Sequence, residues 1–465
     1  MTAASRMDHL TTASASALAG AIRAKQISAV EAVEGCLARI AQVNPALNAV
    51  VQTAAERARS EARAADAALA RGELRGPLHG VPVTVKDAFE TEGIVSTGGT
   101  TGRAGYVPAQ DATAVARLRA AGAIVLGKTN VPELSLAFET DNLVYGRTNN
   151  PYDATRTPGG SSGGEAAIIA AGGSSLGIGS DAAGSIRWPA HCCGIAGLKP
   201  TRGRVPLTGH FPPAVGHTAL LWQAGPLARR VEDLALALRV IAGPDGRDPS
   251  ALPAPLGDPA AVKLGGLRLA LYTDDGVQPA AAEIATTVRS AGTALAAAGV
   301  QVAEERPAGI EQTFALAMGL FGADGGAGVR TLLQLAGTAE PSPFIQRFGH
   351  DLQPFALASA AEFSGLLARI DLWQMQMLAV FARYDAILCP VNAAPALPHG
   401  QSWEQIAGFG YTVAFNLTGW PAAVVRAGTT ADGLPIGVQL VAPPWREDVA
   451  LALAAAVEAA CGPRA

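Results

Sequence analysis

The sequence predicts an α/β protein built on a single large, mixed, mostly parallel β-sheet with helices on both faces. Three observations carry this. Short buried-type apolar runs at 81–86, 123–126 and 176–179 alternate with helix-like stretches at 111–122 and 165–173, and repeated strand–helix–strand units favour parallel neighbours covered on both sides. Two more runs, 267–272 and 300–304, flank another amphipathic stretch at 280–298. At 465 residues the chain is long enough for two or three ordinary domains, yet no repeat, long linker or low-complexity segment divides it, so one domain over 1–465 is the simplest account.

Taken in order, residues 12 to 75 place apolar and charged side chains at helical spacing, as in AVEAVEGCLARIAQV and AAERARSEARAADAALA, which predicts a helical N-terminal layer (1–75) broken at Asn44-Pro45. A core follows over 76–210. In it Val81, Val83 and Val85 alternate with Pro82, Thr84 and Lys86, so a strand there puts Lys86 on the face opposite the valines, with Asp87 on the other face. Beyond the core, 225–227 leads into a helix at 231–242 and a turn-rich stretch from Gly243. Residues 306–383 read as a mainly helical insertion carrying Phe314, Met318, Phe321, Leu332, Leu333, Phe363, Trp373, Met375 and Met377; such an insertion either covers a pocket or is simple core. Strands at 385–391, 422–427 and 435–441 and a helix at 448–461 close the chain.

Composition excludes several functions. The net charge of −4 comes with no basic cluster that would track a phosphate backbone, so nucleic acid is not an expected partner. Nearly half the residues are hydrophobic, but no apolar run of spanning length occurs, and MTAASRMDHLTT at the start lacks the apolar centre of a secretory signal, so a cytoplasmic location is expected. Five scattered cysteines, Cys36, Cys192, Cys193, Cys389 and Cys461, suit reduced thiols, and no ligand spacing suggests a metal. Lysine is scarce: Lys25, Lys86, Lys128, Lys199 and Lys263 stand against thirty arginines, so each retained lysine invites a question.

The stretch from Thr157 to Thr201 carries the functional signal. It holds two serine sites, Ser161-Ser162 and Ser185, flanked by glycines that allow close backbone approach. Ser185 is the better nucleophile candidate, because it follows the small residues Ser180-Asp181-Ala182-Ala183-Gly184, whose N–H groups can converge on an oxygen, and sits just past a strand end. GGSSGG, EAAIIAAGG, GSDAAGSIRWPA and GLKPT resemble, nearly position by position, the signature of the amidase signature family of serine hydrolases. GVPVTVKD at 80–87, GKTNVPE at 127–133, NLTGWPA and GLPIGVQLVA extend the resemblance over essentially the whole chain.

The resemblance implies a relay in which Ser185 attacks a carbonyl carbon while its proton passes through Ser161 to a neutral Lys86 and then to the leaving amine, with the Gly160–Ser161 peptide cis. It implies oxyanion donors among the N–H groups of Ala182, Ala183, Gly184 and Ser185, where family members usually carry threonine and a second glycine at the positions of Ser180 and Ala183. Asp181 and Arg187 are expected to hold the loop, with Ser162 hydrogen-bonding behind it. Free lysine has a pKa of ~10.4, so a working base needs a fall of roughly three units, about 4 kcal/mol, which burial can supply. Ser135 and Leu136 match positions lining the family's acyl pocket, Trp188 and His191 follow the nucleophile, and Phe409 and Trp420 favour an apolar or aromatic substrate such as an aryl amide, anilide or urethane. No cofactor is expected; a small amide or carbamate is the expected partner, and a homodimer the assembly entertained.

Other readings compete. Taken singly, GGSSGG is a flexible turn, Ser185 a helix N-cap and Lys86 a surface lysine with its stem laid down. Gly160-Ser161-Ser162-Gly163-Gly164 also satisfies the nucleophile-elbow pattern of α/β-hydrolases, which would use Ser162 and needs a preceding strand and a histidine such as His350 or His399. A glutamine-dependent amidotransferase subunit shares the signature, but the acid that would hold glutamine's amino group is replaced near Phe409. A catalytically dead scaffold would not need Lys86, Ser161 and Ser185 together.

Overall fold

The computed structural model describes residues 11–461; residues 1–10, most of the segment read for a secretory signal, lie outside them. Eleven strands form one sheet in the order β1-β3-β2-β4-β6-β5-β10-β11-β9-β7-β8. They are β1 (Val50–Thr53), β2 (Pro82–Lys86), β3 (Ile124–Thr129), β4 (Leu176–Asp181), β5 (Ala196–Lys199), β6 (Gln223–Ala228), β7 (Arg268–Leu271), β8 (Gln301–Glu304), β9 (Ala386–Pro390), β10 (Ala422–Thr429) and β11 (Pro435–Val441).

Alternation along these strands feeds two cores. Ile387, Cys389, Ala422 and Val424 pack into one cluster, together with the helices Ala29–Leu47, Gly163–Ala170 and Arg187–Cys193. Ala386, Leu388, Ala423 and Val425 pack into the other, with the helices Thr113–Ala120, Val231–Ile241 and Glu447–Cys461. Val81, Val83 and Val85 all enter the second cluster, so Thr84 and Lys86 face the first, as the alternation requires.

Three expectations need correction. Only β3-β2-β4 at one end and β9-β7-β8 at the other pair in parallel, while the remaining neighbours are antiparallel, so the sheet is mixed without a parallel majority. The short turn between β10 and β11 leaves no room for a parallel crossover and forces an antiparallel hairpin. Pro45 does not break its helix, which runs on to Leu47 and ends at Asn48 with φ of 50°. So close to the helix end the proline forfeits little, and the Asn44 amide clasps the outgoing chain: Oδ1 accepts the N–H groups of Ala49 and Val50, and Nδ2 donates to the Val50 carbonyl. That outgoing chain is β1, an edge strand inside the stretch expected to be wholly helical.

The insertion is helical as expected, with helices Thr313–Gly322, Ala327–Ala336, Pro343–Asp351 and Ala360–Leu378. Trp373 and Met377 are core, whereas Phe314, Met318 and Phe321 line a pocket described below, so both expected uses occur in one segment. Among the described residues no helix is long and apolar enough to cross a membrane.

Candidate active site

Lys86 ends β2, between β3 and β4, and is wholly buried. Its Nζ lies 2.6 Å from Ser161 Oγ and 3.0 Å from Ser180 Oγ. Burial pushes the amine's pKa down to about 7 against the pull of Asp181 and Glu165. Those two carboxyls are managed separately. Glu165 accepts from the hydroxyls of Thr84 and, at 2.8 Å, Thr129, and burial raises its own pKa to about 7, which weakens its charge.

Asp181 stays charged. Burial alone would raise its pKa, but the Arg187 guanidinium holds it well below the carboxylate range. Arg187 Nη2 lies 2.9 Å from Asp181 Oδ1 and Nε 3.0 Å from Oδ2, and both side chains are fully buried. The remaining Arg187 N–H groups reach the Thr412 carbonyl, Gln439 Oε1 and Asn416 Oδ1, so the pair is saturated. Asp181 in turn accepts the backbone N–H of Gly184 at 2.8 Å and of Ile186 at 3.1 Å, which folds the loop into a tight arc.

Ser185 sits on that arc, just past the end of β4, and lines the pocket. Ser161 and Ser162 are fully buried beside it, and the Ser162 N–H donates to the Ser185 carbonyl at 3.2 Å. The Gly160–Ser161 peptide is cis. No side-chain hydrogen bond joins Ser161 to Ser185 among the described residues, so the lysine-to-serine contact is formed and the serine-to-serine contact is not. Gly160 is required by packing, because a Cβ there would meet the Phe138–Glu139 backbone at 2.6–2.7 Å. Gly184 takes a φ of 121°, and a Cβ would meet Thr412 Oγ1 at 2.5 Å.

The four expected oxyanion donors divide. Gly184 spends its N–H on Asp181, because the same arc that presents the loop needs an anchor. The N–H groups of Ala182, Ala183 and Ser185 make no hydrogen bond among the described residues. Ala183 has no positive φ, so its methyl group is not strained; the demand falls on Gly184.

The pocket in front of Ser185 has an empty volume of about 660 Å³ and no ionisable lining side chain. Ser135, Leu136 and Phe409 line it as expected. Phe409 stacks on Phe138 at 3.7 Å between ring centroids, and Trp188 backs the pair edge-on to Phe409 at 5.3 Å. Trp188 and His191 are themselves buried behind the wall, and burial keeps the His191 imidazole neutral, its pKa lowered to about 4. Trp420 does not line the pocket. The helix Gly410–Leu417, about 12 Å long, separates it from Phe409, and its ring packs on Phe381 at 4.6 Å.

Sequence reasoning missed Phe138, Trp222, Phe348, Trp403, Ile406 and Val413 in the lining; they come from five separate segments and share no local pattern. It also missed Ser180 as a partner of Lys86. The nucleophile-elbow reading fails here: Ser162 is preceded by irregular chain, and among the described residues its Oγ hydrogen-bonds only the Ser180 carbonyl, at 3.3 Å, and neither His350 nor His399.

A lysine amine, two serines and a small-residue loop gathered at strand ends beside an apolar pocket, on one eleven-stranded mixed sheet, define a hydrolase of the amidase signature class. The chain belongs to the amidase family, whose profile matches residues 31–451. It is 38% identical to an indoleacetamide hydrolase of Bradyrhizobium diazoefficiens over 96% of this chain and 86% of that one. It is 37% identical to a glutamyl-tRNA(Gln) amidotransferase subunit of Anaeromyxobacter sp., covering 95% of each. The solved structure of a bacterial aryl acylamidase superposes with a TM-score of 0.87 at 29% identity, over 97% of this chain and 96% of that one.

Replacing Arg187 by Met strands the Asp181 charge in the core, an effect of about 3 to 5 kcal/mol. Thermal unfolding should show Arg187→Met well below the parent and partly restored by adding Asp181→Asn; a parent-like melting temperature for the single variant would mean that the pair does not hold the loop.

Proposed function

We propose that the chain hydrolyses a non-peptidic amide with an apolar or aromatic acyl group, through an acyl-enzyme on Ser185. The observation that carries this is the buried Lys86 amine, 2.6 Å from Ser161 Oγ with its pKa lowered to about 7. At pH 7 about half of such amines are neutral, against roughly 0.04% for a free lysine with a pKa of ~10.4.

In this reading Ser185 Oγ attacks the carbonyl carbon while its proton passes to Ser161, whose own proton passes to Lys86 Nζ. The serine hydroxyls close on each other as substrate fills the pocket, since catalytic hydrogen bonds commonly tighten only in the complex. The N–H groups of Ala182, Ala183 and Ser185 receive the oxyanion. Collapse expels the amine, which takes the proton back from Lys86 by way of Ser161. Water then enters, and the same relay releases the acid. Aryl esters and carbamates place the same carbonyl before the same serine, so they fall within the chemistry.

The lining supports the substrate class. It offers rings and aliphatic groups, and one hydroxyl apart from that of the nucleophile: Ser135 Oγ, buried without a partner among the described residues. An unpaired buried hydroxyl is a natural donor to a single polar atom of a bound ligand. The relatives named as amidotransferase subunits favour a second reading, ammonia release from glutamine. Glutamine's ammonium and carboxylate would need charged partners that the lining lacks.

With an aryl p-nitroanilide and no partner protein present, Ser185→Ala should lose at least 1,000-fold in kcat, and a fluorophosphonate should label Ser185 stoichiometrically in the parent only. Because the base works unprotonated, kcat/KM should climb tenfold per unit below about pH 7 and level off above it. A limb near 10, or none, would show that Lys86 is not that base. Across an amide panel, aryl acyl groups should be preferred over amino-acid amides; turnover of glutamine alone, with aryl amides refused, would favour the amidotransferase reading.

A further inference from the structure

We propose that His210 is a positioning residue: acting through Ser180, it fixes the direction in which protons run between Ser161 and Lys86. The inference rests on the relay proposed above and adds to it a side chain that touches neither substrate nor reacting atoms.

Backbone pairing puts the imidazole there. The Glu90 N–H donates to the Gly209 carbonyl at 2.8 Å, the Phe211 N–H donates to the Ala88 carbonyl at 2.7 Å, and Phe89 faces His210 across an antiparallel bridge. The chain that continues from Lys86 is thus the chain that holds His210. The ring stands edge-on to Phe89 at 5.0 Å and against Trp222 at 5.3 Å, and is 5% exposed.

Its hydrogen bonds settle where each proton lies. Nδ1 is 2.8 Å from the Pro212 carbonyl, which can only accept, so Nδ1 carries the proton. Nε2 is then bare, and Ser180 Oγ, 2.8 Å away, donates to it. A hydroxyl has one proton. Toward Lys86, 3.0 Å distant, Ser180 can therefore only accept, and a Lys86 N–H donates. The neutral amine keeps its lone pair and a second N–H; in the relay proposed above the lone pair faces Ser161, 2.6 Å away, so the Ser161 proton points at Lys86 and the Ser161 lone pairs stay open to Ser185.

Every donor from Ser161 through Lys86, Ser180 and His210 to the Pro212 carbonyl gives its proton in one direction. Bonds aligned in that way polarise one another. Without the imidazole, the Ser180 hydroxyl is free to turn its proton onto the Lys86 lone pair and compete with Ser161. The titratable groups that act on Lys86 are Asp181, held by Arg187, Glu165, held by two threonines, and this imidazole. Burial first, and then Lys86, push the His210 pKa down to about 3, so Nε2 remains an acceptor wherever Lys86 titrates.

The test is a double-mutant cycle on the aryl p-nitroanilide. His210→Met should lower kcat at least tenfold with KM within threefold, and should move the limb of the kcat/KM profile to lower pH, since the ammonium loses an acceptor and the free amine gains a donor. His210→Gln, which sets an acceptor near the place of Nε2, should recover most of the loss. His210→Met added to Ser180→Ala should change kcat less than twofold further. Additive losses, or an unmoved limb, would overturn the proposal. Should His210→Met not fold, Ser180→Ala and Ser180→Thr carry the comparison: Thr is expected to retain activity that Ala loses, and equal kcat for the two sinks the idea. Lys86→Ala separates the levels, because activity surviving that change refutes the underlying relay, whereas an inert Lys86→Ala beside a fully active His210→Met refutes only the role of His210.

Discussion

A primary amine kept dry, with its pKa brought down to about 7, is the constraint around which the structure is arranged. With the amine's pKa at about 7 in the fold and ~10.4 in the unfolded chain, Lys86 costs roughly 4 kcal/mol of stability at neutral pH. The sign follows from proton binding. The unfolded chain holds this proton where the folded chain does not, so the cost shrinks as pH rises from 7 toward 10.4. A parallel trio of strands, β3-β2-β4, surrounds the residue with fully buried neighbours and offsets that cost through packing.

Two carboxyls near the amine would undo the arrangement if left alone. An adjacent anion favours the ammonium, and Asp181 and Glu165 both pull in that direction. The fold answers with two different devices. Asp181 is matched to a full guanidinium and to loop N–H groups, so its charge is committed elsewhere, and the same commitment shapes the arc that presents Ser185. Glu165 receives only hydroxyls, and burial itself blunts its ionisation. One ion pair therefore serves both as a scaffold and as an electrostatic screen.

What the sequence revealed divides along physical lines. Lys86 and Ser161 were singled out by the resemblance of their motifs to those of the amidase signature family; local rules set only the face of Lys86, through period-two alternation, and mark the small-residue loop past a strand end that carries Ser185. The scarcity of lysine was informative too, since Lys86, Lys128 and Lys199 are wholly buried. Strand direction in the centre of the sheet was not legible from strand–helix alternation, because pairing partners there are set by long-range order. The pocket lining was half legible. Leu136 and Phe409 lie near the signature elements, but Phe348 and Trp403 reach the cavity only through tertiary packing, and Trp420 was carried away by one intervening helix. His210 had no local mark at all, being delivered by a bridge to Phe89.

The same division explains how relatives of nearly equal identity carry names as different as indoleacetamide hydrolase and glutamyl-tRNA(Gln) amidotransferase. The groups proposed to move protons sit on β2 and on the 160–185 segment, where Lys86 is held by Ser161 and Ser180 in a buried setting and little can change without cost. Much of the cavity wall comes from the helices Thr313–Gly322 and Pro343–Asp351 and from the loop around Trp403, which add ring and aliphatic surface and, among the described residues, make no hydrogen bond to the Lys86 or Asp181 side chain. In the proposed reading, changing that wall alters which acyl group is desolvated, while the amine keeps its environment. Likeness across the whole chain therefore speaks to the reaction, and the identity of the substrate has to be argued from side chains such as Phe314, Met318 and Phe409, where a charged group would enter a lining with nothing to pair it.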